Sequence, residues 1–214
     1  KTMEKMKVDD SDPNIPDPNP NTGNHEYVDL GLSVKWATCN VGATKPEEYG
    51  DYFAWGETQP KDYYDWSTYK WCNGSDNTQT KYCTDSYYGT VDNKTQLELS
   101  DDAARANWGG SWRMPTTEEQ QELINNCTWT WTTQNGVNGY KVTSKKNGNS
   151  IFLPAAGYRS GSSLIHAGSS GLYWSSSLDT YNPDYTYGLS FDSDYVGWNC
   201  HYRCHGFTVR PVCQ

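Results

Sequence analysis

In the C-terminal forty residues, Leu172 to Val212, apolar and polar positions alternate. Tyr187, Leu189 and Phe191 fall on every second position, as do Phe207 and Val209, which is the period of half-buried strands. Between these runs Asp, Tyr, Asn, His, Cys and Trp follow in no repeating order, so a regular framework carries an irregular surface. Nearer the N-terminus, residues 27–32 and 33–39 read as two short strands meeting at a turn that contains Gly31. Thr128 to Thr132 alternates cleanly, Asn135-Gly136 and Asn138-Gly139 mark turns, and strands over 140–143 and 150–154 flank a turn at 145–149. The Gly/Ser-rich stretch 160–171 reads as a loop that needs close backbone approach or positive φ. Residues 61–97 are polar, rich in Tyr, Asn and Thr, and without a steady period; a stretch of that length predicts short hairpins.

The period changes in two places. Residues 101–107 predict a helix with Ser100 as N-cap, acids in the first turn and Gly109-Gly110 as the stop. The second helix, over 118–126, is marked by a capping box from Thr116 to Glu119 directly after Pro115, with Leu123, Ile124 and Cys127 at helical spacing. Glu118, Glu119 and Glu122 read as a solvated helix face with favourable acids near its N-terminus, not as catalytic carboxylates. Two helices with short antiparallel strands and long loops predict an α+β domain.

Composition adjusts this picture in three ways. Leu, Ile, Val and Phe are scarce, but the chain has 10 Trp and 17 Tyr, whose rings supply the apolar area a core needs. The net charge of -9 disfavours nucleic acid as a partner, because phosphate binding needs clustered Lys and Arg. Seven cysteines, an odd number, leave at least one thiol unpaired; a Cys72–Cys83 bridge would staple the loop between them, but spacing does not settle connectivity. No apolar run reaches membrane-helix length. Residues 1–24, rich in Asp, Pro and Asn, predict a disordered tether, and residues 25–214 the folded domain.

Four segments carry a family resemblance: His25 to Leu32 (HEYVDLGL), Lys35 to Ala43 (KWATCNVGA), Gly109 to Thr116 (GGSWRMPT) and Phe207 to Val212 (FTVRPV). Together they resemble the bacterial major paralogous domain family of secreted or lipid-anchored surface proteins. Such domains are similar to the variable proteins of diversity-generating retroelements. The resemblance implies a C-type lectin-like fold, an extracellular or outer-surface location, membrane attachment only through an upstream lipid anchor, and ligand binding without catalysis.

It also implies which residues face a partner. Tyr173 to Ser177, Leu189, Phe191, Val196, Arg203, Gly206 and Val209 to Val212 match framework positions. Asp192, Asp194, Tyr195, Gly197, Asn199, Cys200, His201, Tyr202, Cys204 and His205 lie where such paralogues vary. Trp198 is less typical of such positions; the expected ligand-binding set is Asp192, Asp194, Tyr195, Trp198, Asn199, His201, Tyr202 and His205 with neighbouring Tyr181, Asp184, Tyr185 and Tyr187. Tyr and Trp provide rigid contact area while Asn, Asp and Ser adapt their hydrogen bonds, as in antibody paratopes. The expected partner is a protein or a glycan, with no cofactor.

Rival readings attach to the same stretch. Cys200, His201, Cys204 and His205 are soft-metal or redox ligands close in sequence, though their spacing departs from common zinc and haem motifs. Asn182-Pro183-Asp184 with Trp198-Asn199 resembles the calcium and sugar site of animal C-type lectins, but the usual Glu or Gln before proline is missing and Cys200 replaces the expected Asp. A formylglycine-generating type of enzyme lacks its other recognisable residues here. A structural part in an extracellular assembly is the remaining alternative.

Overall fold

The computed structural model describes residues 22–214. The tether expected over 1–24 lies almost wholly outside them.

The N-terminal strands pair as expected but are shorter, β1 (Tyr27–Val28) against β2 (Lys35–Ala37). The next α-helix, α1 (Ala103–Trp108), starts later than its sequence signal. Ser100 lies in a 3-10 turn, Leu99–Asp101, and the N-cap is Asp102, whose carboxylate accepts from Arg105 N–H at 3.0 Å and Met114 N–H at 2.8 Å. Gly109 stops the helix at φ 66°. In α2 (Thr117–Asn126) the capping box forms in full. Its acids are less solvated than expected: Glu119 also pairs with the Arg113 guanidinium, and Glu122 accepts from Ser33 N–H at 3.1 Å.

The strands that follow are β3 (Cys127–Gln134), β4 (Val137–Ser144), β5 (Ser150–Pro154), β6 (Tyr158–Ser160), β7 (Ser163–Ile165), β8 (Gly171–Leu178), β9 (Tyr185–Phe191), β10 (Val196–Tyr202) and β11 (Val212–Cys213). Asn135 (φ 49°) and Gly136 (φ 84°) make the β3–β4 turn, where both central residues need positive φ. Asn138-Gly139, read above as a turn, is instead inside β4. Gly139 is needed there for approach: a Cβ on it would lie 2.3 Å from the Leu153 carbonyl oxygen of β5. The stretch 160–171 is not all loop, since β6 and β7 form a hairpin at its start.

Among the described residues the strands form four antiparallel sheets, ordered β1-β2-β11, β3-β4-β5, β10-β9-β8 and β6-β7. The fold is therefore mostly β. The expected α+β, C-type lectin-like architecture is corrected on this point: helices of six and ten residues are about two and three turns long, too short to make a helical layer, and the sheets carry the core.

No strand or helix is formed between Lys61 and Glu98, so the hairpins expected there are reduced to single bridges such as Cys72↔Gln79, and a further bridge, Gln96↔Ser177, ties the end of the segment to β8. Buried tyrosines hold this segment in place of a ladder. Tyr64 and Tyr69 donate their hydroxyls to the carbonyls of Tyr52 and Trp55 at 2.6 and 2.7 Å, and Tyr82 donates to the Asp101 carboxylate at 2.6 Å. All seven cysteines are free thiols, so Cys72 and Cys83 do not staple the segment.

Sheet β10-β9-β8 lies between two cores. Tyr173, Leu189 and Phe191 enter one, with Leu123 of α2, Val142, Leu153 and Trp36. Leu172 and Trp174, of opposite parity on β8, enter the other, where Trp174 stacks on Phe207 at 3.8 Å. β8 and β9 are thus buried on both faces, and β10 is the sheet's outer strand.

Candidate functional site

β9 and β10 run antiparallel with Phe191 opposite Val196 and Tyr185 opposite Tyr202. Opposed residues share a face, so Tyr185, Tyr187, Trp198, Cys200 and Tyr202 all project from one side of the hairpin. Beyond the core those side chains meet one another. The Tyr185 and Tyr202 rings lie 4.5 Å apart, Trp198 sits edge-on to Tyr187 at 5.3 Å, and Trp66 from the irregular segment meets Tyr202 at 5.8 Å. Trp198 keeps 46% of its surface exposed, Tyr202 37%, and Tyr181 in the preceding loop 83%. Tyr195 folds over Gly197, where a Cβ would lie 2.1 Å from its hydroxyl oxygen, and remains 46% exposed. Asp192 and Asp194 are exposed at the hairpin tip, and Asn199 is exposed on the strand.

Two residues expected in this face are turned away from it, His201 half-buried and Asp184 buried. His201 is on the other side of β10, its ring 4.9 Å from Phe207 and its Nε2 hydrogen-bonded to the Ser190 hydroxyl at 2.8 Å. Burial pulls its pKa down to about 4, so the imidazole is neutral at physiological pH. Asp184 is only 5% exposed, and its Oδ1 has no hydrogen-bond partner. Desolvation, with Asp76 and Asp179 adding repulsion against the pull of Arg203, raises its pKa to about 6. Asp184 enters the expected contact set as a loop neighbour of the variable positions; its burial beside Arg203 has no local signal in the sequence.

Asp184 therefore gives stability a defined pH dependence. Its carboxyl ionises near 3.8 without the fold and near 6 within it, so between these values the native state keeps a proton the unfolded chain has released. Stability falls as pH rises through that window, and the cost stays complete above it. Asp184→Asn is expected to gain about 1–2 kcal/mol at pH 8, after allowance for screening, and nothing at pH 3. Urea unfolding of the variant and parent at the two pH values checks this; an equal difference at both would be the contrary result.

The four soft ligands do not converge. Cys204 is buried among Tyr52, Tyr64 and Tyr69, whereas Cys200 is exposed and donates its thiol to Asp179 at 3.2 Å. Burial and the Asp179 carboxylate push the Cys200 thiol up to about 12, which keeps it protonated. Among the described residues no group of three His, Cys, Asp or Glu side chains is placed to hold a metal ion.

Along the C-terminal half of β10 lies a cavity of about 290 Å³ lined by Tyr158, Leu172, His201 and His205 and, from the other face of the hairpin, by Tyr185, Cys200 and Tyr202. His205 is half-buried, and desolvation lowers its pKa as well. Sequence reasoning named His201, Tyr202 and His205 as contact residues but missed Tyr158 and Leu172, which come from other strands. It also missed Trp66, which sits in a stretch without period.

Residues 129–212 match a family model described as a domain of unknown function, DUF8237, a span that runs from β3 to β11 and contains the whole hairpin. No curated protein and no solved structure matches the chain.

Proposed function

We propose that this chain is a binding module that presents the β9–β10 hairpin to a macromolecular partner, a protein or a glycan, outside a bacterial cell. One observation carries the reading. Trp198 and Tyr202 on β10, and Tyr195 in the turn just before it, are large, exposed rings beside β9, whose Leu189 and Phe191 enter the first core. Exposed aromatics on a rigid support are the typical anchors of recognition surfaces, because their contact area costs little side-chain entropy. Asp192, Asp194 and Asn199 supply polar contacts around them. No chemical step is assigned to the face: the Ser190–His201 hydrogen bond satisfies two polar groups inside the fold. The resemblance of the segments at 25–43, 109–116 and 207–212 to bacterial surface proteins supports display outside the cell, through an upstream lipid anchor if membrane-attached. No helix among the described residues is long and apolar enough to cross a membrane.

The test is the triple variant Y195A/W198A/Y202A. Screened with the parent against arrayed glycans and a displayed peptide library, it is expected to lose the parent's binders, each ring contributing about 2 kcal/mol. Stability should fall by about 1 kcal/mol, mainly from Tyr202, which packs on Tyr185 and Trp66. Binders kept by the variant would put the site elsewhere, and collapse of the fold would assign the rings to the core.

A further inference from the structure

The outer edge of β10 is an open hydrogen-bonding surface. In the β9–β10 ladder, Asp192 N–H donates to Tyr195 O at 3.0 Å and Arg203 N–H to Asp184 O at 3.2 Å. Those two pairs set the antiparallel alternation: Gly197, Asn199 and His201 turn their amides and carbonyls toward β9, and Val196, Trp198 and Cys200 turn theirs away from the sheet. Tyr202 belongs to the outward set too, but its carbonyl accepts from His205 N–H at 3.1 Å. Among the described residues, the outward groups of Val196, Trp198 and Cys200 meet no backbone or side-chain partner, and β10 pairs with no strand other than β9. Trp198, Asn199 and Cys200 are exposed in succession, so the edge is not covered.

Soluble proteins usually protect such an edge with a Lys, a Pro or a bulge. β10, with the sequence VGWNCHY, has no Lys or Pro, and its register with β9 runs unbroken from Val196 to Tyr202. The two sides of the edge also differ in a useful way. A strand added here would place alternate side chains over the Trp198 and Tyr202 rings and the intervening ones toward the cavity of about 290 Å³ below. On the His201 face the cavity is walled by Tyr158, Leu172 and two imidazoles that burial keeps neutral, and Tyr185, Cys200 and Tyr202 close its rim, a lining without a charged group that suits one apolar side chain. The ring side suits a cation. Its Trp198 and Tyr202 rings are exposed, Asp192 and Asp194 are exposed at the adjoining hairpin tip, and Leu172 to Tyr202 contains no Lys or Arg; Asp179 and Asp184 are buried and do not face a ligand.

We infer that β10 accepts an extended peptide as an added strand, and that the preferred peptide alternates basic with apolar residues. The inference rests on the proposed binding role of the hairpin and narrows its partner to a protein segment. Backbone bonds to Val196, Trp198 and Cys200 supply affinity, the cavity selects the apolar residue, and the aromatic side selects Lys or Arg.

A fluorescein-labelled synthetic peptide alternating lysine with leucine, and two N-methylated analogues of it, give the test. In antiparallel addition the residues opposite Trp198 are the lysines and form the hydrogen-bonded pairs, so N-methylation of the lysine amides should weaken binding by about tenfold or more, while N-methylation of the leucine amides should leave it within about threefold; the reverse preference would mean parallel addition. Trp198→Pro, which removes an outward N–H at a position where an edge strand tolerates proline, should lose the peptide with its melting transition retained. Equal binding of both analogues would overturn strand addition; the aromatic face would then stand if Trp198→Ala still weakened binding. No binding of any peptide would overturn the inference outright, and the glycan array with the triple variant would judge the face separately. A parent protein that sediments as a dimer and is split by Trp198→Pro would also overturn it, by giving the edge to a second copy.

Discussion

Replacing Arg203 with methionine is expected to lower stability by about 3–5 kcal/mol and to expose residues 61–97 to protease. Arg203 follows β10 directly and is fully buried. Its guanidinium bonds go to neutral oxygens: Nε to the Tyr69 hydroxyl at 3.0 Å, Nη1 to the carbonyls of Tyr82 and Pro183 at 3.0 and 2.7 Å, and Nη2 to the Lys81 carbonyl at 2.9 Å. The rings of Trp55 and Tyr69 lie 5.1 and 5.3 Å from its central carbon. Methionine would keep part of the volume but leave three carbonyls without donors, each costing about 1–3 kcal/mol. Removing a desolvated cation returns some of that, which sets the net figure below the sum. Because Lys81 and Tyr82 belong to the irregular segment, the damage should concentrate there. The urea midpoint and the position of the first tryptic cut report the two effects. A loss below about 1 kcal/mol would mean that the rings, not the hydrogen bonds, hold the segment.

Arg210→Met is expected to cost a similar amount but to act globally. Arg210 is also fully buried, donating through Nε to Asn40 Oδ1 at 2.8 Å, through Nη1 to the carbonyls of Ala37 and Thr38 at 3.2 Å, and through Nη2 to the Phe152 carbonyl at 2.9 Å. It thereby joins the end of β2 to β5, two sheets that share the first core. Its loss should lower the melting temperature of the whole domain by more than about 5 °C, without a preferred early cut in 61–97. Lysine should rescue neither arginine, because an ammonium cannot span acceptors that a planar fork reaches at once. Rescue by Arg210→Lys would show that charge alone matters there.

What was legible in the sequence divides along physical lines. Features set by a few adjacent residues appeared in place: the Thr116–Glu119 capping box, the Asn135-Gly136 turn, the Gly109 stop, and the Tyr187-Leu189-Phe191 alternation that became β9. Features set by distant partners did not. Gly139 looks like a turn residue until β5 lies against it. His201 and Asp184 look like surface polar residues until Phe207, Ser190 and Arg203 enclose them. Segment 61–97 has no period because short turns and the side chains of Asp65, Thr78 and Asp92, rather than a ladder, satisfy its backbone, while tyrosine hydroxyls tie it to Tyr52, Trp55 and Asp101. The fold class was misjudged because two well-signalled helices drew more weight than their length supports, while short strands with weaker signals make up most of the structure. Within the expected contact set, Tyr181, Tyr195, Trp198, Asn199 and Tyr202 are exposed together with Asp192 and Asp194, and Tyr185 and Tyr187 are half-buried beneath them.

The position of β10, one strand out from a doubly buried neighbour, has a consequence for how this molecule can change. At Tyr195, Trp198, Asn199 and Tyr202 a substitution alters mainly the outer surface, because the packing that defines the fold runs through β9 and β8. One residue further on, at Arg203, a substitution removes a tie between the hairpin and the irregular segment. Tolerance to replacement thus changes abruptly between adjacent positions, and lineages or engineered libraries can exchange the outer set repeatedly while inheriting the same frame.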